Sequence, residues 1–266
     1  METKYNARAR KIHSLLCVGL DADFEKLPAR FRLLSEPQFE FNKFIIEATH
    51  QYAAAYKPNA AFYEARGDQG IRDLKKTMDY LQSEHPSIYT ILDAKRGDIG
   101  NTNEGYISFI FDWLGFDAVT LHPYMGKESL QPFLDRRDKT SIILCRTSNG
   151  GSGEFQDVLL DGKPLWLRVA QAVAHEWNVN GNCMLAVGAT YPEEMKQIRE
   201  VTGEMTFLVP GIGAQGGDAR AVVEAGQTSD GFGLIINSSR GIIFAEDPTN
   251  AACELRDEIN QYRVFS

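Results

Sequence analysis

The chain has no apolar run approaching the roughly 18–20 residues of a membrane span, and its opening Met1-Glu-Thr-Lys-Tyr lacks the apolar core of a secretory signal. It also has no surplus of positive charge. Its 28 Lys and Arg against 36 Asp and Glu leave a net −8, which argues against a general nucleic-acid or acidic-membrane surface, because such binding needs a basic face. Any anionic ligand must then be met by a local cationic site. Cysteine is scarce: Cys17, Cys145, Cys183 and Cys253 show no Cys-x-x-Cys spacing, and three of them lie in apolar runs. They read as buried thiols in a reducing compartment, so a cytoplasmic protein is expected. Linkers, low-complexity segments and close repeats are absent too, and 1–266 reads as a single domain with one large core.

What the chain does contain is an alternation. Short apolar runs recur at Leu15–Leu20, Ala53–Lys57, Ile88–Asp93, Ala118–Leu121, Ile142–Cys145, Met184–Val187, Phe207–Val209 and Gly233–Ile236. Between them, helical periodicity marks Phe39–Tyr52, Ile71–Leu81, Thr102–Leu114, Lys127–Leu134, Leu165–Glu176, Pro192–Val201, Asp218–Glu224 and Asn250–Tyr262. Eight units of about 33 residues fit an α/β fold of the (β/α)8 TIM-barrel type, near its typical length of roughly 250 residues. A doubly wound open sheet would want a glycine fingerprint after the first strand, and Cys17-Val-Gly-Leu-Asp21 has none. In a barrel the active site lies at the C-terminal ends of the strands, so those ends carry the functional reading.

The third end stands out. Ile88-Tyr-Thr-Ile-Leu is an apolar strand that opens onto Asp93-Ala-Lys95-Arg96-Gly97-Asp98-Ile99-Gly100-Asn101-Thr102. In a strand, residues i and i+2 point the same way, so Asp93 and Lys95 share a face. Gly97 lets the chain turn, and Asp98 can approach from another side. A surface ion pair is the bland alternative, but charges massed where a buried strand emerges fit a catalytic constellation better.

This ten-residue block resembles the signature of the orotidine 5′-phosphate decarboxylase family, in its longer bacterial-type branch. The resemblance implies cofactor-free decarboxylation of orotidine 5′-phosphate to uridine 5′-phosphate in pyrimidine synthesis, with no resident metal. Loss of carbon dioxide from C6 of the pyrimidine leaves a carbanion with no carbonyl to delocalise it. A lysine beside that carbon both stabilises the charge and delivers the proton, the roles given to Lys95. Flanking carboxylates orient it and favour its charged form. The resemblance further implies a homodimer with shared sites, in which Asp98 and Thr102 reach the partner's substrate.

The other strand ends fill in the site. Asp21 matches the family's ribose-binding aspartate, where a helix cap is the simpler reading of a lone Asp. Lys57, followed by Pro58, matches the lysine that bonds the ribose and neighbours the catalytic aspartate. Ser148, in Arg146-Thr-Ser-Asn-Gly-Gly-Ser-Gly, matches the serine that bonds the pyrimidine, although Gly150 stands where the family commonly has proline. His122 has no nucleophilic or metal-ligating neighbour in sequence and reads as structural, and Thr190 reads as a helix cap. Pro210-Gly-Ile-Gly-Ala-Gln215-Gly216-Gly217 after the seventh strand, with Ser239-Arg240 after the eighth, forms the pattern of a barrel phosphate site: glycines for backbone approach and an arginine fork. Gln215 and Arg240 match the family's phosphate ligands.

Two other readings stay open on the residues alone. A sugar-phosphate decarboxylase of the same superfamily shares the Asp-x-Lys-x-x-Asp core but works through a divalent metal, and a noncatalytic nucleotide-binding barrel would keep the fold.

Overall fold

A computed structural model describes residues 3–212 and 217–264. Eight strands close into a parallel barrel: β1 (Leu16–Val18), β2 (Ala55–Tyr56), β3 (Tyr89–Arg96), β4 (Ala118–Leu121), β5 (Thr140–Arg146), β6 (Cys183–Val187), β7 (Phe207–Pro210) and β8 (Leu234–Ser238). Closure comes from β1, which pairs with β2 at Cys17↔Ala55 and with β8 at Leu16↔Ile236. These strands are rich in Val, Ile, Leu and Ala and are buried along almost their whole length, as expected where helices cover the outer face and side chains fill the lumen.

The eight periodic segments are all helical: α1 (Pro37–Thr49), α2 (Gly67–Glu84), α3 (Gly100–Ile107), α4 (Gly126–Leu134), α5 (Leu165–Ala172), α6 (Pro192–Thr202), α7 (Ala219–Gly226) and α8 (Pro248–Gln261). Their starts follow local chemistry. Asp218 caps α7 by accepting from the Arg220 and Ala221 backbone N–H groups, Asp247 caps α8, and proline opens α1, α6 and α8. Thr190 does not cap α6; the cap position is Tyr191, which makes no side-chain cap bond. Helices α3 and α5 loosen into π-helical turns at Ser108–Leu114 and Val173–Trp177.

A further helix, Lys4–Ile12, closes the N-terminal end of the barrel. Tyr5 is fully buried there, donating to the Leu234 carbonyl and packing edge-on against Tyr89 with ring centres 5.8 Å apart. After β5 the chain departs from the simple repeat: a short helix, Gly153–Gln156, leads into a two-stranded antiparallel ribbon, Leu159–Leu160 with Lys163–Pro164. The three cysteines of the apolar runs are free and buried, and burial pushes the Cys17 thiol up to about 12. Among the described residues no helix is long and apolar enough to cross a membrane.

Candidate active site

At the C-terminal ends of the strands lies a cavity of 480 Å³, lined by residues from all eight strand ends. Its charged centre is Asp93. Lys57 Nζ lies 3.1 Å from Asp93 Oδ2, and Lys95 Nζ lies 2.6 Å from Oδ1. The Thr120 hydroxyl at the end of β4 donates to the same Oδ1 at 2.9 Å and accepts the Lys95 backbone N–H at 2.9 Å. One carboxylate thus holds two ammonium groups, and one threonine ties the lysine's backbone to that carboxylate.

The electrostatics follow from this packing. Lys57 is 3% exposed. Burial works against its charge, but Asp93 and then Asp21 hold its ammonium above the ordinary lysine value. Burial alone would raise the Asp93 carboxyl, yet Lys57 and Lys95 hold it well below the usual carboxylate range. The Lys95 side chain, by contrast, is half exposed and faces the opening.

The strand does not run straight through this cluster. Pairing of β3 with β4 slips between Leu92 and Arg96, and Lys95 takes φ 47°, a left-handed conformation that costs a non-glycine residue of order 1 kcal/mol or more. Asp93 and Lys95 do meet, as the strand alternation implies, but across a bulge. Gly97 follows at φ 152°, packed so that a Cβ there would lie 2.9 Å from His122 Nε2. His122 thus serves as a wall for the turn, in keeping with its structural reading.

Asp21 lines the cavity with Oδ1 buried and unpartnered among the described residues. A buried carboxylate oxygen without a donor is costly unless something supplies one. Ser148, Pro210, Ser239 and Arg240 also line the cavity, with Gly211 and Ile212. Ser239 donates to the Gly19 carbonyl at 3.1 Å. Arg240 is exposed and makes no ion pair with a described residue. Gln215 and Gly216 fall outside the described residues; on either side of them, Ile212 and Gly217 bridge each other. Asp98 and Thr102 do not line the cavity of their own chain. Asp98 instead accepts the Ile99 backbone N–H at 2.7 Å, while its own backbone is clasped by Asn103.

Several lining residues have no counterpart in the sequence reading. Thr120 sits inside an apolar run, where a threonine is an ordinary strand former. Asn59 bridges Asp93 along the backbone, and Asn237 is a buried polar residue inside β8; a polar residue within an otherwise apolar strand was the available signal. Beyond β5, Gln156 accepts the Thr147 backbone N–H at 3.0 Å and donates to its hydroxyl at 2.8 Å. Arg146, stacked 3.9 Å over Tyr191, bonds Ser152 and Gln156 and pairs with Asp157.

The sequence matches the family model described as Orotidine 5'-phosphate decarboxylase / HUMPS family over residues 14–255. Among curated relatives, an orotidine 5'-phosphate decarboxylase from Cellvibrio japonicus (strain Ueda107) is 46% identical over 261 residues, covering 95% of each chain. One of the same description from Christiangramia forsetii is 50% identical over 242 residues, covering 91% of this chain and 88% of the relative. The structure of Leishmania donovani OMP decarboxylase superposes with a TM-score of 0.88 at 43% identity, covering 98% of this chain and 97% of that one.

Proposed function

Because the chain belongs to the orotidine 5'-phosphate decarboxylase / HUMPS family, we propose that it converts orotidine 5′-phosphate to uridine 5′-phosphate and carbon dioxide without a cofactor, in pyrimidine biosynthesis. The observation that carries this reading is the Lys57–Asp93–Lys95 array at the cavity centre. The Lys95 ammonium, reaching toward the opening, meets the negative charge that develops on C6 as the carboxylate leaves. Two opposite unit charges about 4 Å apart attract by roughly 4 kcal/mol at an effective dielectric near 20. The same ammonium then gives its proton to C6, completing uridine 5′-phosphate.

The remaining roles follow the cavity's layout. The unpartnered Asp21 Oδ1 suits a ribose hydroxyl, with buried Lys57 beside it. Ser148 meets the pyrimidine edge, while Leu144, Ala186 and Leu208 supply apolar surface for its ring. Arg240, Ser239 and the Pro210–Ile212 backbone suit the phosphate, joined by Gln215 and Gly216 of the adjoining loop. The outward position of Asp98 and Thr102 supports a homodimer in which each copy completes its partner's site, and free buried thiols suit the cytoplasm.

A metal-dependent sugar-phosphate decarboxylase is less well supported on the chemistry of the donors. Asp93, the carboxylate such a metal would need, is already satisfied by two ammonium groups and a hydroxyl. The deciding experiment follows the ultraviolet absorbance of orotidine 5′-phosphate with and without a chelator. Rapid loss insensitive to chelator is expected, and loss only with added metal would overturn the reading. Replacing Lys95→Ala should lower turnover by at least about 10³-fold, the middle of the range for a lost proton donor, while uridine 5′-phosphate still binds. Equal loss of both would remove the role given to Lys95.

A further inference from the structure

We propose that Glu47, His50 and His85 form a binding site for a divalent transition cation of the zinc class, at the end of the barrel opposite the catalytic cavity. One ligand atom from each residue lies within 4.8 Å of the others, and no other set of three such side chains comes as close among the described residues. Glu47 and His50 stand three residues apart at the end of α1, the spacing that puts two side chains on one helix face. His85 closes α2, and its ring lies against that of His50 with centres 4.6 Å apart. The Glu47 carboxylate already meets His85 Nε2 at 2.9 Å.

The surroundings match what such a cation requires. Two imidazoles and a carboxylate favour zinc over magnesium or calcium, which prefer all-oxygen ligands. In a tetrahedral zinc site with bonds of about 2.0–2.1 Å, neighbouring ligand atoms stand roughly 3.4 Å apart. Rotamer shifts of order 1 Å in three part-exposed side chains reach that spacing. His50 Nδ1 lies 3.1 Å from the Glu47 carbonyl, so Nδ1–H donation leaves Nε2 with its lone pair, the arrangement that commonly orients a ligating histidine. Tyr80 donates at 2.6 Å to the same Glu47 Oε1 that meets His85, which leaves Oε2 open to a cation while the carboxylate is held. Both helices also present their C-terminal ends, which favour a cation. Solvent completes the coordination. Such a cation ties α1 to α2 just before β2 and β3, and so acts on stability rather than on turnover.

The test titrates the intact, metal-free protein with zinc chloride alone, followed by calorimetry and thermal unfolding, with magnesium chloride as the control. One equivalent of zinc should bind and raise Tm, and His85→Ala or Glu47→Gln should weaken that binding at least about tenfold. Cobalt in place of zinc should give the visible absorption of a nitrogen-ligated ion in the wild type and lose it in a His50→Ala, His85→Ala variant. All variants should decarboxylate orotidine 5′-phosphate at the wild-type rate, which shows that they are folded. Zinc binding unchanged in these variants, or no zinc-dependent rise in Tm, would overturn the proposal; neither result bears on the proposed activity.

Discussion

Asp93 sets the terms for its neighbours, because it neutralises a lysine that is almost wholly buried. Removing one partner of a buried ion pair leaves the other charge uncompensated, at a cost of about 3–5 kcal/mol. Asp93→Asn should therefore destabilise the protein by that amount near neutral pH, as well as stopping turnover. Adding Lys57→Met should recover much of the loss, because the stranded ammonium is then gone. The sign of the pH dependence follows from the two shifts. A depressed carboxyl stabilises the fold above the unfolded-state value of about 3.9, and that contribution drains away as pH falls toward the folded-state value. The raised Lys57 contributes fully below about 10.4 and loses its share only as pH rises through its higher folded-state value. Urea unfolding should thus show a constant gap between wild type and Asp93→Asn across neutral pH, closing by up to about 1.4 kcal/mol per unit below pH ~4. A gap that persisted unchanged into strong acid would show that Asp93 is not the stabilising carboxylate.

At the scale of elements, the loop after β5 shows how a site can depend on bonds made within its own lining. Ser148 follows Thr147, and Gln156 holds Thr147 at both its backbone N–H and its hydroxyl. This clamp restrains the start of a loop that carries glycine at position 150. Gln156→Leu keeps the volume but removes both of these bonds, together with the one from Arg146, and is expected to raise KM severalfold while kcat changes little. A fall in kcat with KM unchanged would mean that Gln156 acts on the reaction step instead.

This region is also where sequence reading fell short. All eight barrel strands and all eight of the following helices were legible, because alternation between an apolar run and a helical period is forced by burial in a (β/α)8 barrel. The ribbon after β5 broke that rhythm and was missed, although Asp161-Gly162 carried its signature. Both residues take positive φ, 52° and 77°, as a tight hairpin turn requires. The candidate site was legible where charge stands at a strand end, as with Lys57, Asp93 and Lys95. It was not legible at Thr120, an ordinary strand former inside an apolar run, nor in the bulge at Lys95, and at Asn237 the one signal was a polar residue inside an apolar strand. A left-handed lysine leaves no mark in sequence, and only the following Gly97, pressed against His122, hints at a constrained turn.

At the scale of the whole molecule, two residues of the proposed site stand apart from the cavity of their own chain. Asp98 and Thr102 lie on the turn and first helical residues after β3, outside their own cavity. Beside them the rim carries apolar side chains in water: Ile99 is 56% exposed, Met125 46% and Tyr124 91%. The β3 and β4 loops that bear them are joined, since the His122 backbone N–H donates to the Arg96 carbonyl at 2.9 Å. Exposed apolar groups around outward-facing polar ones fit a self-complementary interface, in which each protomer lends what the other lacks. Two inactive variants then test the arrangement directly. In the proposed shared-site dimer, Lys95→Ala damages the site of its own chain, while Asp98→Ala damages the partner's site. Each alone should be nearly inactive. When the two are unfolded and refolded together in equal amounts, half of the dimers are mixed. In a mixed dimer one site inherits both lesions and the other inherits none, so about a quarter of wild-type activity should return. If Asp98 served its own chain instead, each site in the mixed dimer would carry one lesion, and activity would stay at the level of the separate variants.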